Sequence, residues 1–439
     1  MKQLKTITGL LFLLISIKAQ SQEMLTVEQA VAAAMQNNYE IVLLKNDSTL
    51  AALNNSYAYA AFLPRLNASS GLIFNNNNTK QKLADGTQRK QAGLKSNNIS
   101  ASVNLNWTVF DGFKMFATRD KLAEIVRLGE LNIKNQIVNT VSDVVKNYYN
   151  IVRQKQQLIA IQEQMRLNEE RVTQAEKKLS VGLGAKPELL QAKVDLNAQK
   201  AARLKQLTLI EQLKEQLNQL MVMARDTRYE VADSIPFKND LLVTDILAAA
   251  EQNSPELLVA KQNINIAKLT LKERKAERYP TVSLNSAFNF SKTENQLVIN
   301  NFTPLLNQNR GFNYGISTAI PIFNNYNVKR QIQAAQLDIS YQSTIYDYQK
   351  WKMNMAISNA FKDYELQKKT LQLEQENIVL AKENVYIASE RLRLGVTSYL
   401  ELRETQKSLE DAYNRLIAAR YDTKLAETEL LRLKGDLVK

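Results

Sequence analysis

Four segments of the chain alternate between apolar and polar residues with a period of two. In the segment 101–109, Ala101, Val103, Leu105, Trp107 and Val109 are separated by serine, asparagine and threonine. Three other segments repeat the pattern, with their apolar positions at Leu66, Ala68, Leu72 and Phe74, at Val282, Leu284, Phe288 and Phe290, and at Phe312, Tyr314, Ile316 and Ile320. The pattern predicts strands with one apolar and one polar face, over about residues 65–75, 99–110, 281–291 and 311–321.

Each predicted strand has the length of a tilted strand that crosses an outer membrane. Aromatic residues cluster at the strand ends, among them Phe110, Phe113, Phe323 and Tyr326. They fit either an interfacial girdle or a soluble sheet packed on a helix. The segments 75–98 and 291–310 are polar and are predicted to be exposed connections between paired strands.

Long stretches between these segments lack helix breakers. Residues 114–181 contain one Gly and no Pro, and residues 327–394 contain neither. Each stretch predicts a helix about 100 Å long at 1.5 Å per residue. A Gly-containing turn and a returning helix complete two hairpins, 114–223 and 327–434. Hairpins of this length, with sparse apolar positions, favour a coiled-coil-like assembly around a wet lumen. Shorter helices, 27–60 and 243–278, are predicted to end before Pro64 and Pro280.

The chain repeats itself once. Residues 25–41 align with residues 241–257 at an offset of 216, including the triplets Ala32–Ala34 and Ala248–Ala250. Further along, the offset becomes 213, which pairs Phe110 with Phe323 and Gly182 with Gly395. We therefore predict an internal duplication, with repeats at 22–236 and 237–439.

The N-terminus has the features of a signal peptide. Lys2 and Lys5 precede a short apolar stretch, and Ala19 and Ser21 provide small residues for cleavage. We predict that residues 1–21 are removed on export.

The composition restricts the chemistry. The chain has no Cys and no His, which removes thiol nucleophiles, Cys/His zinc sites and histidine-based acid–base catalysis. We expect no enzymatic activity, no metal site and no cofactor. The net charge of +13 comes from Lys and Arg interleaved with Glu, as in Glu169-Glu170-Arg171 and Glu273-Arg274-Lys275. This pattern favours a solvated helix surface over a nucleic-acid interface.

Four strands cannot close a barrel by themselves. The smallest bacterial outer-membrane barrels have about eight strands, and open strand edges cannot face lipid. If the strands enter a membrane, other copies of the chain must complete the sheet, and three copies would supply twelve strands.

The order helix, strand, strand, helical hairpin, given twice, resembles the TolC-type outer-membrane efflux protein family. So do the hairpin tips SVGLGAKPELLQA (180–192) and RLRLGVTSYLELRETQ (391–406). The resemblance spans about residues 25–433. It implies a mixed α and β fold made mostly of long helices, in which a homotrimeric α-helical barrel joins a 12-stranded transmembrane β-barrel with four strands per chain.

The same resemblance implies a location and a function. The protein would lie in the outer membrane of a Gram-negative bacterium, extend into the periplasm, and dock an inner-membrane pump through a periplasmic adaptor. It would serve as the passive exit duct of a tripartite efflux pump or a type I secretion system, for small molecules or proteins. The alternative is a periplasmic coiled-coil adaptor or scaffold, which would leave the amphipathic strands unexplained. The transported substrate is not determined by the sequence.

The resemblance also assigns residues at the tips. Acidic residues of the periplasmic aperture correspond to Glu188, Glu401 and Glu404, although acids in the first turns of helices also offset the helix dipole. The adaptor-docking tips correspond to Val181, Gly182, Leu183, Gly184, Leu394, Gly395, Val396, Thr397 and Ser398. Leu392 and Thr397 occupy positions where the family has a locking Tyr and Arg. Arg391, Arg393 and Lys186 are candidates to replace that network.

Overall fold

The computed structural model describes residues 23–224, 227, 229–237, 241–300 and 302–437. The predicted signal peptide, residues 1–21, lies outside this part. The first half comprises β1 (Glu23–Leu25), α1 (Val27–Asn37), α2 (Tyr39–Ser56), a 3-10 turn (Ala58–Phe62), β2 (Arg65–Lys82), β3 (Gln88–Phe110), α3 (Lys114–Ser180) and α4 (Lys186–Met221). The second half comprises β4 (Tyr229–Val231), α5 (Val243–Asn253), α6 (Pro255–Ala276), β5 (Thr281–Asn295), β6 (Leu306–Ala319), α7 (Asn327–Arg393) and α8 (Tyr399–Lys434).

The two halves match element by element. Helices α3 and α7 both have 67 residues, and α4 and α8 both have 36. Left-handed backbone positions recur 213 residues apart: Gly112 and Asn325, Phe113 and Tyr326, Gly182 and Gly395, Val222 and Gly435. The duplication therefore extends to single backbone conformations.

The strands are longer than the sequence predicts, and the predicted connection 75–98 is wrong. Its residues continue β2 and β3 as a hairpin whose register runs from Arg65↔Asn106 to Lys82↔Gln88. In the second half the strands cover 281–295 and 306–319, so Ile320 lies beyond the strand end. The apolar alternation underestimates strand length because backbone hydrogen bonds pair polar residues equally well.

The predicted helices 27–60 and 243–278 are each two helices. The chain is extended at Asn38, with φ −57° and ψ 125°, and at Ser254, with φ −63° and ψ 117°. Ser254 precedes Pro255, which disfavours helical backbone in the residue before it. Asn38 uses its side chain instead: its Oδ1 accepts from Glu40 N–H at 3.0 Å, and its Nδ2 donates to Leu220 O at 3.1 Å.

Strands β2, β3, β5 and β6 form one antiparallel sheet in the order β2-β3-β5-β6. Residues in register share a face. Rows on one face are Trp107, Leu284 and Ile316; Leu66, Leu105, Ser286 and Tyr314; Ala68, Val103, Phe288 and Phe312. Rows on the other face are Arg65, Asn106, Asn285 and Gly315; Asn67, Asn104, Ala287 and Asn313; Ser69, Ser102, Asn289 and Gly311. The sheet therefore has one apolar and one polar face.

The chain divides into two units. One contains residues 48–129 and 260–345 and includes the sheet; the other contains the described residues of 1–47, 130–259 and 346–439. In the unit that does not contain the sheet, Ala30 and Ala34 of α1 pack with fully buried residues of α3 and α4, including Val144, Ile151 and Leu217. The short strands β1 and β4 pair in parallel beside them. None of the helices in the described ranges is long and apolar enough to cross a membrane.

The loop before α3 depends on a glycine. Gly112 has φ +72°, and a Cβ at this position would lie 2.4 Å from Ala276 O and 2.8 Å from Tyr279 Cβ. We expect Gly112→Ala to lower the free energy of unfolding by at least about 2 kcal/mol, because it adds a left-handed non-glycine residue and a backbone clash. The urea midpoint of the helical circular-dichroism signal measures this.

The duplication supplies the matched control. Asn325 holds the equivalent position with φ +53°. Asn325→Gly should change stability by less than about 1 kcal/mol, since glycine adopts this conformation freely. Equal losses for both variants would contradict the explanation.

Candidate functional site

The two hairpin tips are built by the same helix-ending motif. In the first tip, Gly182 N–H donates to Leu179 O at 3.1 Å and Leu183 N–H donates to Lys178 O at 2.9 Å. In the second, Gly395 N–H donates to Leu392 O at 3.1 Å and Val396 N–H to Arg391 O at 3.0 Å. This pattern caps the last carbonyls of a helix and places the glycine in the left-handed region.

The tips expose apolar side chains. Val181 is 67% exposed and Leu183 83%, while Leu394 is 66% exposed and Val396 62%. Gly184 permits a close approach, because a Cβ there would lie 2.8 Å from Leu179 N. Ser398 begins α8 by accepting a hydrogen bond from Glu401 N–H at 3.3 Å. The predicted docking residues thus form two compact turns with small, unpartnered apolar surfaces.

The three predicted aperture acids have different surroundings. Glu188 and Glu404 are exposed and form no ion pair with any residue in the described ranges. Glu401 pairs with Arg391 at 2.6 Å and accepts a hydrogen bond from the Thr397 hydroxyl. Two of the three carboxylates therefore have no ion-pair partner among the described residues.

Thr397 and Leu392, at the positions of the family lock, have local roles here. The Thr397 hydroxyl donates a hydrogen bond to Glu401 in the same tip, and Leu392 is buried with Ala388 and Leu402. The candidate replacements also act locally: Arg391 pairs with Glu401, and Arg393 pairs with Glu390 at 2.9 Å. Lys186 has no ion pair within the described part of the chain.

A buried arginine that the sequence did not single out connects the two hairpins. Arg171 of α3 is 5% exposed, pairs with Asp195 of α4, and donates to Gln406 Oε1 of α8 at 3.4 Å. Asp195 also lies 3.4 Å from Arg403 Nε and accepts from Gln191 Nε2 at 2.8 Å. The carboxylate of Asp195 is therefore held between two cations from different hairpins.

Tyr399 adds a second link at the same level. Its hydroxyl donates to Arg171 O at 3.3 Å, and Lys178 Nζ lies 5.6 Å from the centre of its ring. Burial raises the pKa of Tyr399, and the nearby Glu188 carboxylate adds to the increase while Arg171 opposes it. Tyr399 is therefore a neutral donor near pH 7.

These contacts correct one sequence-based interpretation. The interleaved charges predict that the clusters at 169–171 and 273–275 lie on a solvated helix surface. Arg171 is instead buried, and Glu273 is 7% exposed, pairing with Lys121 and accepting from Thr118 Oγ1 at 2.7 Å. The spacing of the buried positions Gln164, Asn168, Arg171 and Ala175 is that of a coiled-coil seam, which could have placed Arg171 inside.

Two grooves of about 510 and 430 Å³ meet at Arg171. One is lined by Lys177, Lys178 and Arg393, and the other by Glu188, Tyr399 and Arg403. Among the residues that the structure describes, no cluster of carboxylates could hold a metal ion. The residues described at this site offer charged groups and hydrogen-bond donors and acceptors.

The duplicated hairpins and the two-faced sheet define a class of outer-membrane channel subunit, and comparison with known proteins agrees. The profile of the outer membrane efflux protein family matches residues 34–224 and 246–436, one match in each half. The chain belongs to this family. The predicted family, mixed and duplicated fold, and outer-membrane location are confirmed; the family consists of channel proteins and not of enzymes.

Individual relatives are distant in sequence. The outer membrane efflux protein BepC of Brucella suis biovar 1 (strain 1330) is 22% identical over 350 residues, covering 76% of this chain and 72% of BepC. The CmeC outer membrane channel of Campylobacter jejuni has a TM-score of 0.77 at 16% identity, covering 93% of this chain and 85% of CmeC. The outer membrane protein VceC of Vibrio cholerae has a TM-score of 0.74 at 15% identity, covering 93% and 96%. The two structures establish the fold.

The Arg171 pair can be tested by removing its acid. We expect Asp195→Asn to destabilise the protein by up to about 3 kcal/mol, because it leaves a buried guanidinium without its main counter-ion. Asp195 retains 19% side-chain exposure, so the loss should fall at the low end for buried pairs. The urea midpoint of the full-length protein in detergent measures it.

The exposed pair Lys193 and Glu176, at 2.8 Å, is the matched control on the same hairpin. Glu176→Gln should cost less than about 1 kcal/mol, since water screens both groups. If the two variants unfold at the same midpoint, Arg171 is not held by Asp195 as described.

Proposed function

We propose that three copies of this chain form the passive exit duct of an outer-membrane efflux system, with the sheet in the membrane. The observation that carries the proposal is the sheet itself: one exposed apolar face, one polar face and two open edges, β2 and β6. The test is whether the purified protein is a trimer joined through the surfaces described below.

The apolar face spans most of a membrane's hydrocarbon layer. On β2 it extends from Leu66 to Phe74, about 27 Å along the strand at 3.4 Å per residue, which a tilt of about 40° reduces to a height of about 20 Å, against about 25 Å for outer-membrane barrels. Its side chains are exposed in the single chain: Leu66 68%, Phe74 71%, Phe288 50%, Phe312 67% and Tyr314 80%. Lipid is the surrounding that this face fits, with the polar face toward a wet lumen.

The two open edges then require partners. Each unpaired backbone group costs several kcal/mol in hydrocarbon, and only a closed barrel removes all of them. A copy of the same chain supplies the complementary edge, so that β2 of one copy would pair with β6 of the next. Three copies give twelve strands.

The helices next to these edges carry matching apolar seams. Helix α2 leads to β2. Its exposed residues Tyr39, Leu43, Leu50 and Leu53, together with Tyr57 directly after its end, follow the spacing of a coiled coil. On α7, which follows β6, the residues Leu337, Tyr341, Tyr348, Trp351 and Met355 do the same. Both seams are open in the single chain, so a second copy is the natural partner for each.

The two seams are complementary in antiparallel register. In a coiled coil, the a and d positions of the heptad form the contact seam, and here each a position of one helix lies opposite a d position of the other. The six opposed pairs are Tyr57 with Leu337, Leu53 with Tyr341, Leu50 with Thr344, Asn46 with Tyr348, Leu43 with Trp351, and Tyr39 with Met355. The heptad spacing of both helices is continuous over all six pairs. This register agrees with the direction of the chain, since α2 leads to the sheet and α7 leads away from it.

The absence of cysteine in the sequence makes the register directly testable. A chain carrying both Leu53→Cys and Tyr341→Cys should form a covalent trimer on oxidation, because the two positions face each other between copies. Denaturing electrophoresis without reductant, on outer-membrane extracts, gives the readout.

Moving one cysteine off the seam provides the control. Ala52 is exposed beside Leu53 but lies outside the seam. Ala52→Cys with Tyr341→Cys should cross-link at least tenfold more slowly. Monomers alone from the Leu53 pair, or equal yields from both pairs, would reject the interface.

We further propose that the tips form the periplasmic aperture and the adaptor-docking surface. The exposed apolar turns at Val181–Gly184 and Leu394–Ser398 support docking of an adaptor's helices. Glu188 and Glu404 support a cation-favouring constriction, because threefold symmetry would repeat each unpaired charge three times. Glu401 is the weaker candidate, since Arg391 offsets its charge.

Ion selectivity separates these roles. Glu188→Gln and Glu404→Gln should each lower the cation-to-anion permeability ratio, whereas Glu401→Gln should change it least. The reversal potential of single channels in a salt gradient measures the ratio. A largest effect from Glu401→Gln, or none from all three, would overturn the assignment.

Family membership and the exposed apolar sheet face favour the duct over the alternative of a periplasmic adaptor or scaffold. The chain would be a passive channel without cofactors, driven by an inner-membrane pump reached through a periplasmic adaptor. A type I secretion system would use the same kind of duct for proteins. The cargo would be selected by the pump, since the lumen-facing rows of the sheet are mostly small and polar, with Arg65 and Ile73 as exceptions.

A further inference from the structure

The hairpin of β2 and β3 projects beyond the rest of the sheet. Pairing between β3 and β5 ends at Ser96↔Asn295, whereas β2 and β3 remain paired to Lys82↔Gln88. Residues 76–82 and 88–95 therefore form a two-stranded ribbon, at the end of the sheet away from the helices. We call this segment the ribbon.

The ribbon is strongly basic. It carries Lys80, Lys82, Arg89, Lys90 and Lys95, and none of these forms an ion pair with another residue that the structure describes. The turn contributes one acid, Asp85. Its carboxylate accepts from Thr87 N–H at 2.9 Å, and hydrogen bonds from Thr87 lower the pKa of Asp85. Asp85 also attracts Arg89 electrostatically, whereas the four lysines of the ribbon have no ion-pair partner among the described residues.

The arrangement of these cations is unfavourable within the chain. Lys80 lies directly opposite Lys90 in the register. Like charges in a directly paired position destabilise a two-stranded ladder. A ribbon with this pairing gains most from an external anion that lies against both lysines.

Four of the five cations lie on the face that continues the apolar face of the sheet. On β2 that face is Leu66, Ala68, Ser70, Leu72 and Phe74, followed by Asn76, Asn78, Lys80 and Lys82. Lys95 is opposite Asn76 and Lys90 is opposite Lys80, so both share this face. The bulge between them is on β3 at Gly93, with φ +69°, and leaves the alternation of β2 intact.

On β2 and β3 the cations begin where the apolar surface ends. Gln296 N–H donates to Lys95 O at 2.9 Å, which places the loop after β5 beside Lys95. This loop is apolar, with Phe302 94% exposed and Leu297 51% exposed. The second hairpin carries fewer cations on this face: Lys292 on β5 is paired with Glu294 at 2.5 Å, and Arg310 on β6 lies opposite Phe290 without an ion pair to any described residue. On β2 and β3 the order along the face is thus an apolar band and then unpaired lysines, with the apolar loop after β5 beside Lys95.

We propose that this lysine face of the ribbon binds the phosphorylated headgroups of the membrane's outer leaflet. The inference rests on the proposed function, in which the apolar sheet face meets lipid and the ribbon lies at the outer surface. Headgroup phosphates lie directly outside the hydrocarbon layer, at the height where Lys95, Lys90, Lys80 and Lys82 follow the apolar rows. Each lysine near an anionic lipid surface strengthens binding about fivefold at low salt.

Lipid binding by the full-length trimer in non-ionic detergent tests the proposal. The protein is titrated with mixed micelles containing phosphatidylglycerol or phosphatidylcholine, and binding is followed by thermophoresis. We expect at least tenfold tighter binding to the phosphatidylglycerol micelles, decreasing with salt. Excess inorganic phosphate should not compete, because a single free ion does not span the four lysines.

The variant with Lys80, Lys82, Lys90 and Lys95 all changed to Gln should lose this preference. A matched variant changes four exposed helix lysines that have no ion pair in the described ranges, Lys200, Lys205, Lys362 and Lys369, to Gln. It removes the same charge and should keep the preference. If the first variant does not assemble, the double variant Lys80→Gln and Lys82→Gln is used instead. The logarithm of its affinity ratio between phosphatidylglycerol and phosphatidylcholine micelles should be about half that of the unchanged protein.

Three results would overturn the proposal: no preference in the unchanged protein, an undiminished preference in the ribbon variant, or equal losses in both fourfold variants. An undiminished preference would leave protection of the ribbon edges against strand pairing as the role of the lysines. Failure of the proposed function would appear elsewhere, as a protein that is not trimeric in the same detergent.

Discussion

Unpaired backbone groups at the edges of β2 and β6 are the constraint on which the rest of the molecule depends. A sheet with an exposed apolar face on one side and polar residues on the other fits a boundary between lipid and water. Its edges do not fit that boundary, because amide and carbonyl groups need partners that lipid cannot supply. In the proposed trimer, edge pairing between copies supplies these partners, and the seams on α2 and α7 offer the same neighbouring copy a second contact.

The internal duplication explains how one chain acquires two different edges. Each half supplies two strands and a helical hairpin with the same turns, down to left-handed residues 213 positions apart. The halves have since diverged where function or packing differs. Gly112 is required by a close approach to Ala276, whereas its counterpart Asn325 is not a glycine. The first strand pair extends into a basic ribbon, and the second ends in an apolar loop.

The hairpin tips combine local regularity with a specific link. Both turns use one capping motif, which accounts for a glycine at the same place in each. The link between the hairpins is formed by Arg171, Asp195, Arg403 and Gln406. These residues lie within the helices, a few turns away from the tips. A buried charge pair contributes geometry more than stability, since desolvation offsets much of its attraction. Such a link keeps two long hairpins in fixed register near their exposed ends.

The sequence by itself determined the features that depend on local pattern. Alternation with a period of two identified both faces of the sheet, long stretches without Gly or Pro identified the hairpins, and the repeat identified the duplication. Tertiary structure decided the rest, because the deciding contacts join residues far apart in the chain. The helix break at Asn38 relies on Leu220 O, the burial of Arg171 relies on Gln406, and the ribbon relies on backbone pairing that does not depend on which side chains it carries.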